Sequence, residues 1–185
     1  MDPAATIPDQ GFILDTCNFS GGGTYLPGRD YTSNTSLFVN NVGIINSDEV
    51  AQYYMNNNST VTTVTVSGDA YKVQGSTTLA PVTQKFSHTN NRATYTGTII
   101  KFFKVVVTMT VESGNNNKIG VYVAKNGSII PEYEGYGTTN GSGRGENLVV
   151  QALVELQEND YIEIFVENDT GTQNITVTDL NVIID

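Results

Sequence analysis

The chain has 185 residues, of which 38% are hydrophobic and 15% charged, and its formal net charge at pH 7 is −10. A chain of this length is sufficient to form one domain with a buried hydrophobic core. Nucleic acid and anionic membrane surfaces attract basic proteins. This chain is acidic, with 19 Asp and Glu against 9 Lys and Arg, which disfavours both as partners. No apolar run approaches the length of a membrane span, so we expect no membrane insertion.

The net charge is concentrated at the C-terminal end of the chain. Residues 145–185 hold nine carboxylates and neither Lys nor Arg, whereas residues 1–144 are close to neutral. An acidic, solvated exterior face is the simplest interpretation. A carboxylate-rich edge that binds cations, such as Ca²⁺, or a basic partner is the alternative.

Side chains that carry catalysis or bind metals are scarce. Cys17 is the single cysteine and His88 the single histidine, so the sequence offers neither a His/Cys cluster for zinc nor a supported Cys–His nucleophile. A single cysteine also excludes an intrachain disulfide. We therefore expect no enzyme activity, no cofactor and no metal. Residues 1–10 lack the basic start and apolar core of a signal peptide, which predicts synthesis in a cytoplasm.

The first elements along the chain are weakly defined. Residues 1–35 are rich in Gly, Pro, Asp and Thr, which predicts a loop-rich arm with a short strand at residues 12–14. A strand is expected within residues 36–45. Ser47 then caps an expected short helix over residues 48–56, with two acids in its first turn. Helical spacing is shown by Val50, Ala51, Tyr53 and Tyr54.

Strand patterns follow. Residues 60–66 and 70–73 predict a hairpin turned at residues 67–69, and residues 77–86 and 93–98 are further strand candidates. From residue 99 onward the chain alternates apolar and polar side chains, the signature of half-buried strands. The residues expected to face the core are Phe103, Val105, Val107, Met109, Val111, Ile119, Val121, Val123, Leu148, Val150, Ala152, Val154, Leu156, Ile162, Ile164 and Val166.

Turns and irregularities can also be predicted within this region. Asn126-Gly127 is a strong hairpin signal, because a type I′ turn needs positive φ at both central residues. In the last strand the apolar positions change from odd to even numbers. A bulge near Thr178 and Asp179 would reconcile the two phases.

The Gly-rich stretch 129–146 stands apart, and we expect it to be a long loop. It is either a flexible linker or a recognition loop, since tyrosine gives contact area at low entropic cost. The residues of this candidate binding loop are Tyr133, Tyr136 and Arg144.

Residues 85–97, KFSHTNNRATYTG, resemble the F-x-x-x-x-N-R-x-x-Y-x-G opening of the C1q/TNF-like jelly rolls found in phage and other viral structural proteins. The order of the strands and turns that follow is similar to that family. Asn159 stands where the family has the glycine of an x-G-D-x-I turn, and asparagine tolerates positive φ. The family's closing F-x-G is absent at residues 180–182. The resemblance covers residues 60–185.

This resemblance implies an all-β, antiparallel jelly-roll sandwich of the C1q/TNF-like type, here with a loop-rich N-terminal arm and one short helix. The expected organisation is an arm over residues 1–35, a strand and helix over 36–59, and the jelly roll over 60–185. It implies assembly as a homotrimer and a place on the surface of a virion. The expected partners are the chain itself and, through the arm, the major capsid protein or another virion protein.

Apolar residues on otherwise polar strand faces are candidates for the trimer interface. Scattered exposed apolar residues are common, but their repetition on successive strands favours an interface. The candidates are Phe102, Val106, Val149, Leu153, Tyr161 and Phe165.

Two functions fit these features. The first is a trimeric capsid decoration or head-fibre protein, favoured by the short chain and small arm. The second is a tail-fibre or baseplate module that recognises a host glycan or protein through the 129–146 loop.

Overall fold

The computed structural model describes residues 12–15, 36–39, 49–141 and 144–185. The chain divides into two compact units, Met1–Glu49 and Val50–Asp185. In the first unit, β1 (Phe12–Asp15) pairs in parallel with β2 (Ser36–Val39), which confirms the two strands predicted there. The rest of the predicted arm, including Cys17, lies outside the described residues, and so does Ser47, the predicted helix cap.

The second unit is a sandwich of two antiparallel sheets, each with six strands among the described residues. Its strands are β3 (Ala51–Met55), β4 (Val61–Thr62), β5 (Ala70–Lys72), β6 (Thr78–Leu79), β7 (Phe86–Thr89), β8 (Arg92–Tyr95), β9 (Lys101–Glu112), β10 (Asn115–Lys125), β11 (Ser128–Asn140), β12 (Glu146–Leu156), β13 (Tyr161–Asn168) and β14 (Ile175–Ile184). Sheet I has the order β12-β9-β14-β3-β6, with β4 beside β14. Sheet II has the order β11-β10-β13-β8-β7, with β5 beside β13.

The core lies between the inner faces of the two sheets. Every residue predicted from residue 99 onward to face the core is buried, with at most 5% of its surface exposed. An aromatic cluster closes one part of it, where the rings of Phe86, Tyr95 and Phe103 lie 5.0–5.3 Å apart. The period-two pattern therefore identified the inner faces of the long strands correctly.

The bulge predicted in the last strand is confirmed. The register of β14 against β9 shifts between Val177 and Asp179, so that Val177 and Leu180 both face the core. Asn58 secures the bulge, because its backbone N–H donates to the carbonyl of Thr178 at 2.9 Å and its side-chain amide donates to the carbonyl of Val177 at 2.9 Å.

The helix predicted over residues 48–56 is wrong, because residues 51–55 form strand β3. Ala51, Tyr53 and Met55 are buried and the residues between them are half-buried, a period of two rather than 3.6. Residues 51–55 pair with β14, and this pairing decides the conformation. Tertiary pairing overrides a short and ambiguous local pattern.

The hairpin predicted over residues 60–73 is also wrong. The turn exists, with Gly68 at φ +81°, but the strands on its two sides enter different sheets. β4 pairs with β14 in sheet I and β5 pairs with β13 in sheet II, so this segment crosses from one sheet to the other.

Several turns of the sandwich are formed by asparagines with positive φ. β7 and β8 form a hairpin around Asn90 and Asn91, both at positive φ, and Asn126 and Gly127 form the predicted turn between β10 and β11. Asn159 has φ +71°, as expected where it replaces glycine. In the ranges 49–141 and 144–185 the chain forms no helix, and no described helix is long and apolar enough to cross a membrane.

The loop predicted over residues 129–146 is mostly a strand. Residues 128–140 form β11, which pairs with β10 at the edge of sheet II. Its glycines permit close approach to sheet I. A Cβ on Gly135 would lie 2.7 Å from the backbone oxygen of Val149, and one on Gly137 would lie 2.4 Å from Cδ2 of Leu148. The glycines therefore mark tight contact between the two sheets and not a flexible segment.

Candidate functional site

The outer face of sheet I carries the largest exposed apolar side chains of the long strands. Phe102 on β9 is 65% exposed, and Val149 and Leu153 on β12 are each 57% exposed. These residues alternate with core residues on the same strands, so their side chains all point away from the core. Val106, half-buried, shares this face.

The register of β9 and β12 makes these residues neighbours. Phe102 lies opposite Glu155, Leu153 opposite Lys104, Val106 opposite Gln151 and Val149 opposite Thr108. Diagonal neighbours on one face of a sheet lie about 7–8 Å apart, within reach of long side chains. The four apolar residues thus form one continuous line across two strands, with polar side chains beside it except at Val106, where the half-buried Ile183 of β14 lies opposite. We call this line, Phe102, Leu153, Val106 and Val149, the apolar ridge.

A shallow cavity of about 250 Å³ lies beside the apolar ridge, where the β14 bulge meets β9 and β12. Its lining combines polar side chains with apolar surface from Met109, Leu148 and Leu180. Asp179 lies at the bulge, and its carboxylate accepts a hydrogen bond from the backbone N–H of Asn57 at 3.3 Å. The lining residues are Asn56, Thr108, Met109, Thr110, Asn147, Leu148, Val149, Asp179, Leu180 and Asn181.

Two of the six predicted interface residues lie elsewhere. Tyr161 and Phe165 belong to β13, so they are on the outer face of sheet II and both are half-buried. The guanidinium of Arg92 lies 4.6 Å from the centre of the Tyr161 ring, a cation–π contact that occupies one side of it. The six residues therefore do not form one surface, whereas the four of the apolar ridge do.

The three residues of the predicted binding loop are not brought together. The hydroxyl of Tyr133 donates to the backbone oxygen of Leu153 at 2.9 Å and ties β11 to β12. Tyr136 is 43% exposed and reaches across β10 on the outer face of sheet II. Arg144 is exposed in the connection that leads into β12.

Tyr136 belongs to a polar cluster that sequence analysis missed. Its hydroxyl donates to Glu167 at 2.7 Å and lies 3.0 Å from the hydroxyl of Tyr122, which in turn donates to Glu134 at 2.9 Å. Desolvation, reinforced by the hydrogen bonds with Glu134 and Glu167, raises the pKa of both tyrosines above its ordinary value. The ring of Tyr136 is covered by Lys118, whose Nζ lies 3.8 Å from the ring centre.

Gly120 makes this cluster possible. A Cβ at Gly120 would lie 2.8 Å from both Cγ of Glu167 and Cε1 of Tyr136. The bare backbone lets the tyrosine lie across β10 and reach β13. Gly120, which lies opposite Tyr136 on β10, is the only feature of the sequence that indicates this contact. It could be recognised only after the register of β10 and β11 was known.

Removal of the Tyr136 hydroxyl should destabilise the sandwich. Glu167 is 5% exposed, so the variant Tyr136→Phe leaves a buried carboxylate without one donor and should lower the free energy of unfolding by about 1–3 kcal/mol. Urea denaturation measures this change. Tyr54→Phe is the matched control, since Tyr54 is half-buried and shows no side-chain hydrogen bond to the described residues. Equal effects of the two variants would contradict the assigned role.

Asp160 is the centre of a second network, at the turn between β12 and β13. The carboxylate is 5% exposed and accepts hydrogen bonds from the backbone N–H of Gln157 at 2.9 Å and from the side-chain amide of Asn126 at 2.7 Å. Lys125 pairs with it at 2.8 Å. Burial alone would raise the pKa of Asp160, but these donors outweigh burial and hold the pKa below its ordinary value.

The acidic C-terminal segment is partly neutralised by bases from earlier in the chain. Besides Asp160 with Lys125, Glu163 pairs with Lys72 at 2.5 Å and Asp169 pairs with Lys118 at 2.8 Å. Among the described residues there is no group of three or more His, Cys, Asp or Glu side chains placed to hold a metal ion. A carboxylate edge for cations stays a prediction without a site in this part of the chain.

The sequence and the fold can be compared with those of known proteins. No protein-family model matches the sequence, and no curated protein matches it. Among solved structures, the chain is similar to the Eiger TNF of S. frugiperda, with a TM-score of 0.50, 8% identity, and coverage of 74% of this chain and 91% of that chain. The chain has a TNF-like jelly-roll fold. Murine APRIL at pH 8.5 is also similar, with a TM-score of 0.50, 6% identity, and coverage of 74% and 99%.

The TNF-like jelly roll confirms the fold class expected from the sequence, apart from the short helix. At identities of 6–8%, the similarity shows a shared fold only and indicates nothing about the ligands or partners of this chain. What this jelly roll does must therefore be argued from its own surfaces.

Proposed function

We propose that this TNF-like jelly roll is a homotrimeric structural protein of a virion surface, of the capsid decoration or head-fibre type, and that it acts by assembly rather than by catalysis. The observation that carries the proposal is the apolar ridge. Contiguous exposed apolar residues with a polar border are characteristic of protein–protein interfaces, whereas single exposed apolar residues are not.

The energetics favour burial of the ridge in self-association. Complete burial of a Val, Leu or Phe side chain contributes about 1.5–3 kcal/mol. Phe102, Val149 and Leu153 are each more than half exposed, so covering them supplies several kcal/mol toward association. Lys104, Gln151 and Glu155 flank the ridge and would form the polar rim.

A second copy of the chain is the occupant that we propose for this face. The resemblance of residues 85–97 to jelly rolls of viral structural proteins supports both the trimer and the virion location, and this segment forms the β7–β8 hairpin. A chain rich in Thr and Asn, with a single cysteine and therefore no intrachain disulfide, agrees with a particle exterior assembled in a cytoplasm. We further propose that the N-terminal arm, residues 1–35, contacts the major capsid protein or another virion protein.

Charge on the ridge should dissociate the trimer. Val149→Glu and Leu153→Glu place a carboxylate in the centre of the proposed interface, where its desolvation is unfavourable. We expect the wild type to have the mass of three chains by light scattering and each variant to have the mass of one.

Val82→Glu is the matched control, because Val82 is also 57% exposed but lies outside the ridge. This variant should remain trimeric. A monomeric wild type, or a Val82→Glu variant that dissociates to the same degree, would contradict the proposed interface.

The virion location has a separate test. Antibodies raised against residues 50–185 should label particles of the virus that encodes the chain, viewed by electron microscopy. Label spread over the shell supports a decoration or head-fibre role. Label confined to the tail supports the receptor-binding alternative, in which the exposed Arg144 is the first residue to mutate because Tyr136 also stabilises the fold. Unlabelled particles would contradict both.

A further inference from the structure

Two Asn–Gly steps occur in the chain, and the structure places them in different surroundings. Asn126-Gly127 is the turn of the β10–β11 hairpin, and Asn140-Gly141 ends β11. An asparagine followed by glycine is prone to react with its own backbone, because glycine puts no side chain between the next N–H and the asparagine amide carbon and leaves the backbone free to rotate.

Asn126 is held on both ends of its side-chain amide. Its Nδ2 donates to Oδ1 of Asp160 at 2.7 Å, and its Oδ1 accepts from the backbone N–H of Tyr161 at 3.0 Å. The backbone N–H of Asn126 also donates to the carbonyl of Tyr161 at 3.0 Å. The amide must leave these partners before it can approach the nitrogen of Gly127.

Asn140 has no comparable restraint in the part of the chain that the structure describes. The residue is exposed and is the last of β11, where it lies opposite Asn115. No hydrogen bond joins its side chain to another described residue. Gly141 has left the strand with φ +108°, and the only atom of the described residues that a Cβ built there would meet is Oδ1 of Asn115, at 3.8 Å.

We propose that Asn140 is a site of spontaneous deamidation, and that Asn126 is protected from the same reaction by its turn. The backbone nitrogen of Gly141 attacks Cγ of Asn140, a C–N bond forms, and the side-chain amide nitrogen leaves as ammonia with the proton from the Gly141 N–H. Water then opens the resulting five-membered imide at one of its two carbonyls. The products are aspartate or isoaspartate at position 140, with no oxidation or reduction.

The two sites differ in what the product would do. At position 140 the new carboxylate is solvated at the end of a strand and adds one negative charge to a chain of net charge −10. At position 126 a carboxylate would face the buried Asp160, and two like charges at that distance repel. The fold therefore tolerates the reaction at one Asn–Gly step and resists it at the other.

Peptide mapping by mass spectrometry tests the proposal. The purified full-length protein is incubated at mildly alkaline pH and sampled over days, with a parallel sample unfolded in urea. In the folded protein we expect conversion at Asn126 to be at least about tenfold slower than at Asn140, because the turn must open locally before reaction. In urea the two sites should convert at similar rates.

Asn140→Gln is the control variant, and the acidic species that accumulates in the folded wild type should be absent from it. Equal conversion of Asn126 and Asn140 in the folded protein would overturn the protection assigned to the turn. An unchanged Asn140 in the folded protein, over a time in which the urea sample converts, would overturn the proposed site.

Discussion

Replacement of Asp160 with asparagine is expected to lower the free energy of unfolding by about 3 kcal/mol, because it removes the buried carboxylate that pairs with Lys125 and leaves that ammonium only the backbone oxygen of Glu155. The carboxylate accepts three hydrogen bonds at 2.7–2.9 Å, and an amide cannot accept all three. For a chain of this size the loss corresponds to a fall in Tm of roughly 6–12 °C. Calorimetry and urea denaturation measure it.

Asp169→Asn is the matched control. Asp169 and Lys118 are also 2.8 Å apart, but their side chains are 44% and 47% exposed, and exposed ion pairs contribute about 0–1 kcal/mol. We expect this variant to cost at most about 1 kcal/mol. Similar losses for the two variants would show that burial does not set the contribution of Asp160.

The effect of Asp160 should depend on pH in a defined direction. Its pKa in the folded state is lowered, so its contribution is fully present above the pKa of an unfolded aspartate, about 3.9, and is lost as the pH falls through the folded value. The stability difference between wild type and Asp160→Asn should therefore be constant near neutral pH and shrink below about pH 4. A difference that grows on acidification would contradict this.

Gly135→Val is expected to destabilise the sandwich by about 2–3 kcal/mol through overpacking. The first added carbon would lie 2.7 Å from the backbone oxygen of Val149 and 3.3 Å from Cγ1 of Val121. A backbone oxygen cannot swing aside, so β11 and β12 would have to separate. Urea denaturation gives the magnitude, and an unchanged slope against urea would show that the loss is in stability alone.

Gly171→Ala supplies the comparison. Its added carbon would meet Oε1 of Gln173 at 2.8 Å, the far end of an exposed and flexible side chain. We expect a change within about 0.5 kcal/mol. If residues 129–146 were a flexible loop, Gly135→Val would be equally neutral, so the pair of variants distinguishes a strand in close contact from a loop.

The inner faces of the long strands could be predicted because one face of each is buried and the other solvated. In β9, for example, burial alternates from Phe103 to Val111, and the apolar–polar pattern follows it except at Val106. The bulge near Asp179 was predictable for the same reason, since the core still required an apolar side chain after the phase changed. These features depend on period two alone.

β3 could not be predicted because its pattern satisfies two periods. Tyr53 and Tyr54 suit a half-buried strand as well as a helix, and acids before them suggest a helix start. What decides is the pairing with residues 180–184, more than a hundred positions away. The sequence around residues 51–55 does not indicate that they pair with residues 180–184.

The glycines of β11 were misinterpreted for a related reason. Glycine permits both a flexible loop and the close approach of two backbones, and only the position of Val149 against Gly135 distinguishes them. The six candidate interface residues were grouped for a similar reason. Parity identifies outward-facing residues, but whether Phe102 and Phe165 share a sheet depends on strand order.

The position of β14 constrains when the protein can fold during synthesis. β14 comes after all the other described strands of sheet I along the sequence, yet it lies in the middle of that sheet, between β9 and β3. Until residue 184 has left the ribosome, β3 and β9 lack their common partner, and the edges that pair with β14 stay without backbone hydrogen bonds. A nascent chain paused before that point therefore exposes strand edges, and it depends on chaperones or on rapid completion to escape aggregation.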